Sequence, residues 1–261
     1  MGLGLYSEEG ISLRGLEEAR RADHIFLEGY TSVMPRLSIT RLESITGKQI
    51  VVLSRRNVEE EAEKILVAPA QTKRVCLLVP GDPMTATTHV DVRLRAESRG
   101  IPTKIVHAAS IETAVSGATG LQSYKFGRTI TIPFLEGETF PESIYDYCTN
   151  NTRSGLHTLI LLDVRTEEKR SMTIQNALPI LSNLEKHKNR GVFLGERLMI
   201  GIARLGGPDS LLKADRLDRL SEFSFGEPPH CLIAPGNLHF MEVEALKIFA
   251  KASEEVLKNR R

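Results

Sequence analysis

The chain has no tryptophan, only three cysteines and almost no net charge: 34 Lys and Arg stand against 33 Asp and Glu, leaving +1 over 261 residues. Each scarcity removes a class of protein. A balanced chain has no global basic field for holding phosphate backbones, so no nucleic-acid partner is expected. Local basic stretches from Arg14 to Arg21 and at Lys258-Asn259-Arg260-Arg261 read as solvated helix surface. Cys76, Cys148 and Cys231 are widely spaced and form no CxxC pair, so neither a zinc site nor a disulfide framework is indicated, and no metal is expected. Cys76 and Cys231 sit in apolar runs and read as small buried hydrophobes in a reducing cytoplasm. There is no run of about 18 apolar residues and no signal-peptide pattern, which points to a soluble protein without membrane contact. Met1-Gly2 could open a myristoylation signal, but Tyr6 stands where serine or threonine is needed.

What is present is an alternation of short β-branched runs with helical stretches, the pattern of an α/β protein, with 41% hydrophobic residues to build its core. Helix is expected from Gly15 to Ala22, Val58 to Leu66, Thr88 to Arg99, Pro141 to Asn151, Met172 to Leu184 and His239 to Lys258. Strands are expected at His24–Leu27, Gln49–Leu53, Arg74–Val79, Lys104–His107, Thr129–Pro133, Leu156–Leu162, Leu198–Ala203 and Cys231–Ala234. Texture changes after Tyr124-Lys125-Phe126-Gly127. A domain boundary is therefore expected between residues 108 and 128, giving domains 1–115 and 116–261.

Gly2-x-Gly4 has no preceding strand and no third glycine at dinucleotide-fold spacing, since Gly10 is too far along. The informative segment is Pro80-Gly81-Asp82-Pro83-Met84-Thr85, which ends an apolar strand where open α/β sheets place ligands. On residue chemistry alone Asp82 is as much a cap on a rigid turn as a ligand group.

Gly81-Asp82-Pro83 in this position resembles the glycine-aspartate-proline signature of the tetrapyrrole methylase superfamily. The longer strings GLGLYSEEGIS, FLEGYTS, GDPMTATTH, VHAASI, GLQSYKFGRTITIPF, GLHTLILLDVR and FGEPPHCLIAPGNLHFMEVEAL, spread over nearly the whole chain, are similar to one branch of it. That resemblance implies a two-domain α/β fold with S-adenosyl-L-methionine in a cleft between the domains. It implies repeated methylation of the amino group of a 3-amino-3-carboxypropyl histidine on translation elongation factor 2, in diphthamide biosynthesis. It also implies a homodimer. The family's first strand, ahead of the GLGL turn, is absent from this sequence.

Carried over by motif, the cofactor contacts fall on Leu5, Asp82, Thr85, Ser110, Ile111, Leu162, Leu205 and His230. Carbonyls and an acid suit the cationic sulfonium and amino end of the cofactor, and Leu and Ile suit its adenine. Leu5, Ile111 and Leu162 are otherwise ordinary core residues, and His230 an ordinary capped histidine. No catalytic base is assigned; Asp163 and bulk water are candidates, and Arg165 and Lys169 are either partners for the acceptor's carboxylate or ordinary exposed surface charge. Alternatives are a corrin, porphyrin-precursor or ribosomal RNA methyltransferase of the same superfamily, and a non-enzymic S-adenosylmethionine-binding regulator.

Overall fold

The structure is a computed structural model describing residues 1–135, 137 and 141–258; residues 259–261 of the basic C-terminal stretch lie outside the described residues. The chain divides into two compact units, residues 1–111 with 164–170, and residues 112–163 with 171–261. The sequence reading had assigned no segment of the second half to the first unit.

In the first unit, α1 (Leu13–Arg21) starts where the Ser12 hydroxyl accepts from the Gly15 N–H at 3.0 Å, and ends on Arg20 and Arg21, which suit the negative end of its dipole. β1 (His24–Glu28), α2 (Ile39–Thr46), β2 (Ile50–Leu53), α3 (Arg55–Glu59), α4 (Ala68–Ala70), β3 (Val75–Leu78) and α5 (Val90–Glu97) follow. The three strands are parallel in the order β2-β1-β3, with Ile25 opposite both Ile50 and Cys76. A parallel sheet needs cover on both faces. One cluster here holds Leu3, Ala19, Ile25, Leu27 and Leu42, and another Tyr30, Leu53, Val58, Ala62 and Leu66.

Two expectations fail here. The helix read over Val58–Leu66 is broken: α3 stops at Glu59, and Glu63–Val67 is a π-helical turn in which the Ala68 N–H reaches the Glu63 carbonyl. Pro69, which lacks an N–H, follows at once and cannot continue a regular ladder. Lys104–His107 is not a strand, because a strand exists only through its neighbour. Among the described residues this stretch is joined to the sheet only by Gly2 N–H donating to the Val106 carbonyl at 2.9 Å. On the other side Leu3 donates to the Val79 carbonyl and Val79 to the Met1 carbonyl, each at 2.9 Å. Residues 1–3 thus fill a strand position beside β3 for the length of one bridge. Alongside lies a cavity of about 620 Å³, lined in part by Val75, Leu77, Val92, Ala96 and Ile105. None of the eight expected cofactor residues lines it.

The second unit contains α6 (from Ile111, ending at Thr119), β4 (Ile130–Ile132), α7 (Glu142–Arg153) and β5 (Thr158–Leu162). A hairpin of β6 (Val164–Arg165) and β7 (Arg170–Ser171) comes next in the chain. Then follow α8 (Ile174–Lys188), β8 (Leu198–Ala203), β9 (Leu211–Arg216), α9 (Leu217–Leu220), β10 (His230–Ala234), α10 (Phe240–Phe249) and α11 (Glu254–Leu257). The five-stranded sheet runs β4-β5-β10-β8-β9, with only β4 and β5 parallel. Its central strands β8 and β10 are buried throughout. Ile132, Tyr145, Ile160, Leu181, Phe193, Phe225 and Leu232 pack around them. The helix expected from His239 to Lys258 is two helices, because Lys251 adopts φ 52° and Ser253 starts a new cap. Cys76, Cys148 and Cys231 are all buried free thiols. Among the described residues no helix is long and apolar enough to cross a membrane.

A buried carboxylate joins three segments of this unit. Glu242, fully buried, accepts from the N–H groups of Gln122 (2.8 Å) and His239 (2.7 Å), from His157 Nε2 (2.9 Å) and from the Lys125 ammonium. The Gly236 N–H donates to His157 Nδ1, which leaves the ring proton on Nε2, facing the carboxylate. Burial pulls the Glu242 carboxyl upward, but the bonds from Gln122, Lys125, His239 and His157 outweigh it and hold it at about 2. A carboxyl lowered on folding stabilises the fold above its ordinary value and loses that contribution as pH falls through the folded one. The drop from 4.5 to about 2 corresponds to roughly 3 kcal/mol. Unfolding free energy is therefore expected to decline between pH 4.5 and 2 in the wild type. Glu242→Gln is expected to cost about 3–5 kcal/mol at pH 7 and to flatten that acid limb, as read by urea denaturation. An unchanged midpoint would show the cluster to be incidental.

Candidate functional site

In the first unit, three turns meet through glycines. Gly4, at φ 81°, exchanges backbone hydrogen bonds with Gly81, at 3.3 and 2.7 Å. A Cβ on Gly2 would lie 2.5 Å from the Gly81 carbonyl oxygen and 2.6 Å from Ala108 Cβ, so no larger residue fits between these segments. The Leu5 turn, the Gly81–Thr85 turn and the residues from Ala108 onward are thereby brought together. Leu5 and Ile111 are half-buried, unlike Leu3 beside them, so they have apolar surface to offer a ligand; Ser110 is buried.

Asp82 ties these turns. Its Oδ1 accepts the Met84 N–H at 2.9 Å and, more weakly, the Thr85 hydroxyl at 3.4 Å. Its Oδ2 accepts the Ala108 N–H at 3.2 Å and His107 Nδ1 at 2.8 Å. Burial pulls the carboxyl upward, yet the Met84 N–H, the His107 ring and the Ala108 N–H outweigh it and hold it below its ordinary value. It is an anion at neutral pH. Two of these bonds cap its own turn and two reach a second segment. Nothing in the sequence marks His107 as the partner of Asp82, since the two are 25 residues apart and no periodic pattern joins them.

In the second unit, Leu162, Leu205 and His230 gather at one end of the sheet. Leu162 ends β5 and His230 begins β10, while Ala203, opposite His230, ends β8. The Arg204 N–H donates to the Pro229 carbonyl at 2.9 Å, carrying the contact past the strand ends. Arg204, buried and at φ 47°, holds the two loops with its side chain. Nε donates to Asp209 Oδ2 at 2.8 Å, Nη1 to the carbonyls of Phe225 (2.8 Å) and Glu227, and Nη2 to the Asp209 carbonyl at 3.1 Å. That anchor fixes the register at Leu205, which Gly206-Gly207-Pro208 left ambiguous in the sequence. Leu205 is half-buried and Leu162 belongs to the core cluster.

His230 has both ring nitrogens engaged. Nδ1 accepts the Ile174 N–H at 3.2 Å and Nε2 faces the Glu227 carbonyl at the same distance. Burial pushes it down to about 4, so it is neutral near pH 7. Its position at the sheet end is occupied by a ring already committed to the fold. Asp163, next to Leu162, accepts the Phe134 N–H at 2.9 Å, and Arg165 is paired with Glu168 at 3.3 Å. Lys169 lies in the left-handed region at φ 51°, in the connection between β6 and β7.

Of the eight residues, five therefore lie in the first unit, where Asp82 and Thr85 follow β3, and three in the second, gathered at strand ends. Ligand-binding α/β proteins carry their sites at such ends. A sequence profile of the family described as Tetrapyrrole (Corrin/Porphyrin) Methylases matches residues 1–220, and the chain belongs to that family of methylases. Within it, the similar proteins are diphthine synthases. That of Methanocella arvoryzae is 42% identical over 250 residues, covering 96% of both chains. That of Methanocorpusculum labreanum is 43% identical over 250 residues, covering 96% of this chain and 97% of its own. A crystal structure of diphthine synthase superimposes with a TM-score of 0.89 at 39% identity, over 98% of this chain and 96% of its own. A putative diphthine synthase from Entamoeba histolytica gives 0.87 at 36%, covering 97% of this chain and 98% of its own. The chain is a member of the diphthine synthase family.

Arg204→Ala would leave the buried Phe225 carbonyl without this donor and the Glu227 carbonyl with the His230 ring alone, an expected loss of about 1–3 kcal/mol. Chemical denaturation would measure it, and limited proteolysis is expected to cut first within 204–210. A variant as stable and as resistant as the wild type would remove Arg204 from this role.

Proposed function

We propose that the chain transfers methyl groups from S-adenosyl-L-methionine to the amino group of a 3-amino-3-carboxypropyl histidine on translation elongation factor 2, repeatedly, to give the trimethylated product. It would act in the cytoplasm, where its protein substrate works. The observation that carries this reading is the similarity to diphthine synthases over nearly the full length of the chain, in sequence and in fold.

The residues present suit the cofactor. In the first unit, half-buried Leu5 and Ile111 offer apolar faces for a flat base, Thr85 and Ser110 offer hydroxyls, and the glycine-lined turns let main-chain groups approach closely. The Asp82 anion favours a cationic ligand nearby. In the second unit Leu162, Leu205 and His230 are the residues that the family resemblance assigns to the cofactor. When bound, the cofactor supplies an electrophilic methyl on a positive sulfur.

The protein's task is alignment. Holding amine and methyl in near-attack geometry supplies roughly 7–11 kcal/mol of the barrier. The acceptor amine attacks only when neutral, so a proton leaves before each early transfer. Asp163, which follows β5 and accepts the Phe134 N–H, and bulk water are the candidates to receive it. Arg165, on the adjoining hairpin, would meet the acceptor's carboxylate after exchanging its contact with Glu168.

A homodimer belongs to the same reading. Met241, Ile248 and Phe249 on α10 are 58%, 62% and 52% exposed, and with Ala245 they share a helical face at spacings of four, three and one. An apolar stripe of this kind on a surface calls for a partner, and a second copy is the economical one.

Labelled S-adenosylmethionine supplied with elongation factor 2 carrying the aminocarboxypropyl group is expected to label it in single-methyl steps up to three. Comparable labelling of the unmodified factor would overturn the substrate, and a fourth methyl would overturn the product. Arg165→Ala is expected to slow transfer without altering cofactor affinity. Light scattering is expected to give a dimer that Ile248→Glu with Phe249→Glu dissociates, whereas a wild-type mass of 29.0 kDa would refute the dimer.

A further inference from the structure

We propose that His107 is a positioning residue for cofactor binding: its ring locks the Asp82 carboxylate so that the Gly81–Thr85 turn and the residues from Ala108 to Ile111 present their main-chain groups as one surface. This rests on the reading of the site as an S-adenosylmethionine site.

A carboxylate offers about four lone-pair directions. Those of Asp82 face four donors among the described residues: Met84 N, Thr85 Oγ1, Ala108 N and His107 Nδ1. The first two lie in its own turn. Only the last two reach across to the other segment, and both use Oδ2. Little acceptor capacity remains for a ligand, so Asp82 acts chiefly by fixing two stretches of backbone relative to each other. Of the two cross-links, the Ala108 N–H at 3.2 Å is the longer and the His107 bond at 2.8 Å the shorter. Glycine-rich backbone with no side chain to wedge it depends on such cross-links for its spacing.

The His107 side chain is 69% exposed while that of Asp82 is 9% exposed. A ring so far in solvent contributes little packing, and its removal leaves no cavity. What it supplies is the one bond, and with it an orientation for the carboxylate. The donor is Nδ1, nearest the backbone, so an asparagine amide at this position can present an N–H at nearly the same place. An alanine cannot.

The test is affinity for S-adenosylhomocysteine by calorimetry on the full-length protein, with melting temperature measured alongside. His107→Ala is expected to weaken binding about tenfold, the scale of one charge-assisted hydrogen bond, with melting unchanged. His107→Asn is expected to restore binding to within a few-fold of the wild type. In turnover, the alanine variant is expected to raise KM for S-adenosylmethionine and keep kcat. Alanine binding as tightly as histidine, or asparagine no better than alanine, would overturn the proposal. So would a loss of binding matched by a loss of melting temperature. Should the wild type itself bind no cofactor, the reading of the site fails and this role with it. Nitrogen NMR of the ring separates the two failures, since an Nδ1-protonated tautomer that disappears in Asp82→Asn keeps the cross-link itself, and an Nε2-protonated ring removes it.

Discussion

The constraint on which the first unit depends is an approach of bare backbone to bare backbone. Gly2 lies against Gly81 and Ala108 at distances no Cβ would permit, Gly4 at φ 81° exchanges hydrogen bonds with Gly81, and Gly10 closes on Leu3, where a Cβ would meet the carbonyl oxygen at 2.4 Å. Three turns from distant parts of the chain can then share one set of hydrogen bonds. The Asp82 carboxylate closes that set, and its position follows from the glycines around it more than from its own strand. Each piece is a short local motif; the site exists because the pieces can touch.

The second unit solves the same problem by different means. Its sheet ends are held by charged side chains turned inward, Arg204 over the carbonyls of Phe225 and Glu227, and Glu242 under two backbone N–H groups, an imidazole and an ammonium. Such groups are costly to bury and stable only when every partner is present. They give loops of irregular sequence a single arrangement, which a cofactor contact at Leu205 or His230 requires.

Much of the fold was legible in the sequence, because apolar runs such as Leu198–Ala203 and Leu156–Leu162 have the composition of inner strands, and both find a neighbour on each side. Lys104–His107 has two β-branched residues and fails, since among the described residues it meets the sheet only through one bond to Gly2. The edge strand β9 was missed because Lys213, Asp215 and Arg216 obscure its alternation, and α2 was missed although Ser38 and Gly47 mark both its ends. Of the site, the motif residues were visible through family resemblance. The partners that hold them, His107 and Arg204, act through hydrogen bonds that leave no period in the sequence.

The three cysteines take on a further meaning in the folded chain. Burial pushes the Cys76 thiol up to about 11 and that of Cys231 up to about 12, and raises Cys148 as well. The nucleophile in thiol chemistry is the thiolate, and here it is both scarce and shielded. Alkylation of any of the three therefore waits on a local opening of β3, α7 or β10. The protein carries a set of native reporters, one in the first unit and two in the second, whose labelling rates record how often each unit breathes.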